Sequence, residues 1–377
     1  MIPSFLSLAA FGALGLCQTL VIREDKRAFA VLDPNGPFRN ASQTFEPNPT
    51  ANLTAPYFQV YDERFMDILG PNPTIRVIVE NDTFSFAHDG PIWIPETNQL
   101  FTTGGRIEGR PVSMMNLNDL TPTGLINFTI LPLDDAVQIN NGGTPFRGDL
   151  LLVTTGSGPL PPSVVRVNSR PPFNTTILLN NFYGRQFNSL NDAKVHPLSR
   201  AIFFTDVSYG FENGFRPAPL FPNQVYRFDP DTGDVRVVAD GFSQCNGIAF
   251  SPDGRTAYIA DSGESQGQIG GIQPTLPATI YAFDVMSDTQ AFANRRVFAF
   301  IDTGVPDGLS LDTNGNVYAG CGDGTEVFDP KGTLLGKIFL GVSSANMIFV
   351  GPKRLVLMAD TKIFLAEIAA EGMDLDL

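Results

Sequence analysis

The stretch Asn246-Gly-Ile-Ala-Phe-Ser-Pro-Asp-Gly-Arg-Thr-Ala-Tyr-Ile-Ala-Asp261 decides the fold. Two short apolar runs flank Ser251-Pro-Asp-Gly254. Pro presets one turn angle and Gly tolerates a positive φ, so the unit reads as a β-hairpin. The plan recurs five more times. Asp89-Gly-Pro-Ile-Trp leads to a run ending at Thr103, and Asn141-Gly-Gly-Thr-Pro to one ending at Thr155. Asn191-Asp-Ala-Lys-Val leads to Asp206, Asp307-Gly-Leu-Ser-Leu to Cys321, and Asn346-Met-Ile-Phe-Val to Asp360. First and last residues of each copy lie 14 or 15 positions apart, and successive copies start 52, 50, 55, 61 and 39 residues apart.

A repeat of that period, with further strand-like runs in the gaps, is the signature of propeller blades. Gln224-Val-Tyr-Arg-Phe228 and Thr279-Ile-Tyr-Ala-Phe-Asp284 are examples of third runs. The sequence therefore predicts an all-β, six-bladed β-propeller with four antiparallel strands per blade. The last unit is one strand short, because only Lys362-Ile-Phe-Leu-Ala-Glu-Ile368 follows Asp360. The missing strand is expected from the N-terminal side, at Thr74-Ile-Arg-Val-Ile-Val79. A ring closed in that way has no open edges.

Composition agrees. The chain has 377 residues, 43% of them hydrophobic and 17% charged, which suits a packed globular core. Its 25 basic and 39 acidic residues give a net charge of −14. An acidic surface excludes nucleic acid as the expected partner, and no basic run offers a patch for an anionic membrane. Residues 5–16 form an uncharged apolar stretch too short to span a bilayer. Residues 1–17 are read as a secretory signal peptide, 18–57 as an N-terminal extension and 58–377 as one propeller domain. Five glycosylation sequons, at Asn40, Asn52, Asn81, Asn127 and Asn174, fit a secreted chain. Cleavage after Cys17 would leave Cys245 and Cys321, either as a disulfide or as two buried thiols.

The first residue of every copy is Asp or Asn: Asp89, Asn141, Asn191, Asn246, Asp307 and Asn346. Four are followed by Gly, read here as easing a tight backbone turn into the strand. Innermost propeller strands run beside the central channel, so these six positions would ring one of its mouths with side-chain oxygens. Carboxylate and amide oxygens are ligands for a hard divalent cation such as Ca²⁺, at about 2.3–2.6 Å. Asp206 and Asp261 end second strands and are expected away from that mouth.

With these motifs in place, the chain resembles the regucalcin/gluconolactonase family of calcium-dependent propeller lactonases, and most resembles fungal secreted lactonohydrolases. The resemblance rests on residues 178–192 with Phe204-Thr-Asp206, and on Asn223-Gln-Val-Tyr-Arg-Phe228. It rests also on Asn246-Gly-Ile248, Pro306-Asp-Gly308, Tyr318-Ala-Gly-Cys-Gly-Asp-Gly324 and Phe58-Gln-Val-Tyr-Asp-Glu63. It implies one Ca²⁺ ion in the channel, held by Asp89, Asn191, Asn246 and Asp307. The family usually has Glu where this chain has Asp89, and some sugar-lactone members have Arg where it has Ser189.

The expected activity is hydrolysis of a small lactone. Asp307 is the candidate base and His88 a second candidate for proton transfer. Asn188, Arg185, Asn141 and Asn346 are candidate substrate-lining residues. His196 is read as an exposed turn residue. Residues 211–221 and 263–277 are read as walls over the pocket. Another hydrolase, or a ring-opening or cyclising enzyme of secondary metabolism, on the same metal site, or a propeller that only binds, is the alternative.

Overall fold

The computed structural model describes residues 19–373, apart from 33, 35–37, 40–41, 44–52, 106–110 and 135–136. The signal-peptide reading and the Asn40 and Asn52 sequons lie outside the described residues.

Five four-stranded sheets and one six-stranded sheet make six antiparallel blades. Their inner strands are Asp89–Ile94, Asn140–Phe146, Leu190–Val195, Cys245–Phe250, Leu309–Leu311 and Asn346–Phe349. Each of the six hairpins seen in the sequence is the inner pair of one blade. The closing strand is also where the sequence places it. Thr74–Glu80 pairs antiparallel with Lys362–Glu367, completing the sixth blade from both ends of the propeller.

The six-stranded sheet was not foreseen. Tyr57–Val60 pairs antiparallel with Leu334–Phe339 at the outer edge of the fifth blade, and Val21–Arg23 adds to it in parallel. All four residues of Tyr57–Val60 are buried, so this addition covers an edge that would otherwise present unpaired backbone groups.

The core is distributed between blades, as a propeller requires. Phe203, Phe250, Phe283 and Phe292 pack between the third and fourth blades, Phe250 edge-on to Phe203 and Phe292 while Phe203 stacks on Phe292. Within the third, Phe187 meets Phe204 and Tyr226 edge-on, and those two rings stack. Aromatic pairs of this kind add about 0.5–1.5 kcal/mol each beyond the area they bury. His196 belongs to this packing and is not exposed. It is 4% exposed, lies edge-on to Phe250, donates from Nε2 to Gly254 O at 2.8 Å, and accepts at Nδ1 from Ser199 N. Apolar packing and satisfied ring nitrogens make it a core histidine. Cys245 and Cys321 are free buried thiols in different blades, and burial pushes both pKa values up.

The glycines after the ring residues have a reason other than turning. A Cβ on Gly90 would fall under 3.0 Å from Asn141 O; one on Gly142 from Asn191 O. One on Gly247 would meet Asp307 O, and one on Gly308 the side chain of Asn346. Of these four only Gly90 has a positive φ, 57°. The missing side chain lets the next blade's ring residue approach, so Gly sets the radius of the ring.

Candidate functional site

Five of the six ring residues are buried, and Asp307 is partly exposed. They converge at one end of the channel. Asn346 Nδ2 donates to Asp89 Oδ1 at 2.6 Å, which itself accepts from Gly90 N at 2.8 Å. Asn246 donates to Asp307, and the Asp89 and Asp307 charges act on each other. Burial and then Asp89 push the Asp307 pKa up to about 7, against the pull of His88 and the Asn246 bond. Asn191 Oδ1 is buried with no hydrogen-bond partner among the described residues.

The sequence places Asp206 and Asp261 on the wrong side. Antiparallel pairing brings the end of each second strand back beside the start of the first. Leu190 pairs with Asp206, and Cys245 with Asp261. Asp206 accepts from Asn188 N at 3.1 Å and Ser189 N at 2.7 Å; Asp261 accepts from Ser243 N at 3.1 Å and Gln244 N at 2.8 Å. Each carboxylate thus pins the backbone two or three residues before a ring amide. Burial pushes Asp206 up to about 7 despite its N–H donors, and raises Asp261. A second device works between blades. Thr103 Oγ1 donates to Asn141 O at 2.7 Å, and Thr205 Oγ1 to Asn246 O at 2.9 Å.

His88 stands beside the ring. Its Nδ1 lies 2.9 Å from Asp360 Oδ1, which leaves Nε2 as the nitrogen for proton transfer. Burial pulls its pKa down, but Asp360, Asp307 and Asp89 outweigh that, and the net shift is upward.

The other candidates are engaged differently. Asn188 Oδ1 accepts from Leu220 N at 2.9 Å and Phe221 N at 3.1 Å, and its Nδ2 donates to Phe221 O at 2.9 Å. It moors the end of the 211–221 segment. Arg185 is exposed, stacks 3.9 Å over the Phe221 ring and bonds Leu220 O. Both connections between second and third strands, 211–221 and 263–277, lie at the ring end of the channel. They touch where Asn213 Oδ1 accepts from Gln268 N at 3.2 Å. Sequence reasoning missed Tyr209. Its hydroxyl donates to Ser265 O at 2.9 Å, and burial, then Asp307 and Glu212, hold its pKa well above the usual range. No motif marks Tyr209; only its place before the 211–221 segment could have.

Among the described residues no three His, Cys, Asp or Glu side chains gather to hold a metal. The ring offers two carboxylates and several amides instead. That all-oxygen set, an amide oxygen buried without a partner, and two carboxylates that repel each other when unscreened fit a hard divalent cation.

Comparison with known proteins gives the family. The chain belongs to the SMP-30/Gluconolactonase/LRE-like region family, which matches residues 136–359. It is 31% identical over 314 residues to lactonohydrolase oryL of Aspergillus oryzae, covering 76% of this chain and 68% of that one. The solved gluconolactonase of Xanthomonas campestris superposes with a TM-score of 0.67 at 25% identity, covering 83% and 95% of the two chains. The fold is shared also with the calcium-binding protein regucalcin of Agrobacterium tumefaciens, at TM-score 0.60 and 18% identity over 80% of this chain and 97% of that one.

Proposed function

We propose that the protein hydrolyses a small lactone at the ring end of its channel, with a divalent cation, Ca²⁺, held by Asp89, Asn191, Asn246 and Asp307. The observation that carries this reading is the mutual repulsion of the Asp89 and Asp307 carboxylates, with a buried Asn191 amide oxygen that has no hydrogen-bond partner among the described residues on the same ring. A relative named lactonohydrolase and a solved one named gluconolactonase support the reaction class. The cation, when bound, polarises an ester carbonyl and offsets charge that develops on its oxygen.

The chain's own groups do the rest. Asp307 is the less buried of the two acids in the ring, and in this reading it accepts the proton of the attacking water. His88 is oriented through Nδ1 by Asp360, which leaves Nε2 as the nitrogen that passes a proton to the leaving oxygen. The 211–221 and 263–277 segments wall the ring end and limit water around the developing charge. The acidic chain has no general attraction for an anionic substrate, which suits a neutral lactone.

In the same reading the chain is exported. Asn127 and Asn174 are exposed and are the sequons best placed for a glycan, whereas Asn81 engages its own turn through Thr83 and Phe84. A mass shift on deglycosylation, mapped to Asn127 and Asn174, is the test.

Turnover of aldonolactones, aromatic lactones and phosphotriesters, with and without chelator, tests the main reading. Lactone hydrolysis that chelator abolishes and added Ca²⁺ restores is expected. Hydrolysis untouched by chelator ends the cation assignment, and no turnover of any lactone ends the lactonase assignment.

A further inference from the structure

The channel has a second mouth, at the end away from the ring, and nothing in the lactonase reading uses it. The later residues of the inner strands line a cavity there, bounded by Lys194, Arg200, Phe250, Leu311, Met347 and Phe349 among others. Two features of its lining point to a ligand. Lys194 is 9% exposed, and the nearest charge to its ammonium is Asp192 Oδ1, at 3.6 Å. That is beyond a good hydrogen bond. Arg200 comes from the turn between the first two strands of the third blade, and its Nη2 is buried without a hydrogen-bond partner among the described residues.

A guanidinium N–H removed from water with nothing to receive it is unfavourable unless an acceptor arrives. The cavity lining carries two cations, Lys194 and Arg200, and no carboxylate. Lys194 has Asp192 beside it, which leaves the Arg200 guanidinium as the charge to be met and favours a monoanion over a phosphate dianion. The walls choose further. Phe250, Leu311, Met347 and Phe349 are all at least nine-tenths buried yet face the cavity. They suit an apolar body attached to the anion.

We propose that this second mouth is a binding site for an organic monocarboxylate with a short apolar chain. Its carboxylate is received by Arg200 and Lys194, and its chain lies along the phenylalanine, leucine and methionine wall. A carboxylate accepts from a guanidinium in paired, planar geometry, which an ammonium alone does not provide. Arg200 is therefore the principal determinant.

The test is isothermal titration of the full chain with sodium hexanoate, hexan-1-ol and inorganic phosphate, repeated on Arg200→Asn and Lys194→Met. Arg200 has a φ of 63°, a conformation that Asn adopts readily, so Arg200→Asn removes the guanidinium without straining the turn. Hexanoate is expected to bind one per chain. Hexan-1-ol and phosphate should each bind at least about tenfold more weakly, and Arg200→Asn should weaken hexanoate by about tenfold or more with its unfolding midpoint unchanged. Lys194→Met should weaken hexanoate too; should it fail to fold, Arg200→Asn decides alone. Equal binding of the alcohol would leave only an apolar cleft, and equal binding of phosphate only an unspecific cation pair. Absence of hexanoate binding, or binding indifferent to Arg200→Asn, overturns the proposal.

Discussion

Asn346 Nδ2 donates to Asp89 Oδ1 across 2.6 Å, and this bond joins the sixth blade to the first at the candidate cation site itself. The contact that closes the ring thus also holds a ligand carboxylate in place. Asn346→Ala leaves Asp89 buried beside Asp307 with one donor fewer. Such a change costs about 1–3 kcal/mol, and more when the stranded group is charged. The expected outcome is a lower urea midpoint in chelator, with much of the loss recovered when Ca²⁺ is added.

Asp307→Asn separates binding from chemistry. The amide keeps an oxygen for the cation but cannot take a proton. Turnover should fall by about 10²–10⁴-fold, the usual worth of a positioned base. Steady-state hydrolysis of the best lactone measures it, with circular dichroism to confirm the fold. Activity within a few-fold of the parent would move the base elsewhere, with His88 next to test.

Acid should weaken cation binding. Without the cation, burial and Asp89 hold the Asp307 pKa up at about 7, above its unfolded value. The proton is therefore a competitor below pH 7, and ionisation works against the cation-free fold as pH rises through 7. One proton displaced predicts about tenfold weaker Ca²⁺ binding at pH 6 than at pH 8, with proton release seen as a buffer-dependent heat. Binding that is flat between pH 6 and pH 8 removes Asp307 from the ligand set.

Gly247→Ala tests what sets the ring radius. The new methyl group meets the Asp307 backbone carbonyl, which cannot rotate away as a side chain would. Overpacking of this kind costs about 1–3 kcal/mol. Ca²⁺ affinity and lactone turnover should both drop, while the same change at Gly148, where the space is open, should leave the ring alone despite its positive φ. Calorimetric titration of the two variants distinguishes them.

A cation bound only by the folded chain raises stability in proportion to its excess. At a hundred times the dissociation constant the gain is about 2.7 kcal/mol. Asp89→Ala should abolish the gain in thermal or urea unfolding. A variant that still gains stability from Ca²⁺ holds the ion elsewhere.

Much of this architecture can be read from local patterns. The hairpins announce themselves because each is two short runs about a turn, and the ring follows because every copy opens on Asp or Asn. The closing strand is legible because the last unit is visibly one strand short. What escaped depends on contacts between distant residues. Tyr57–Val60 joins a strand about 280 positions away, and no local pattern names that partner. Asp206 and Asp261 lie at the ring end because each hairpin returns the end of its second strand beside the start of its first. His196 was misread because its turn packs against Phe250 of the next blade. Asn188 and Arg185 carry polar groups suited to a substrate, but the 220–221 segment uses them first.

The shared sixth blade has a consequence for how the molecule is made. Thr74–Glu80 leaves the ribosome early and must wait for Lys362–Glu367 before it has a partner. Contacts of such separation form late and slowly. The Asp89–Asn346 bond waits with them, so the cation cradle is among the last parts to assemble, and a nascent chain halted before the final hairpin carries most of the blades without it.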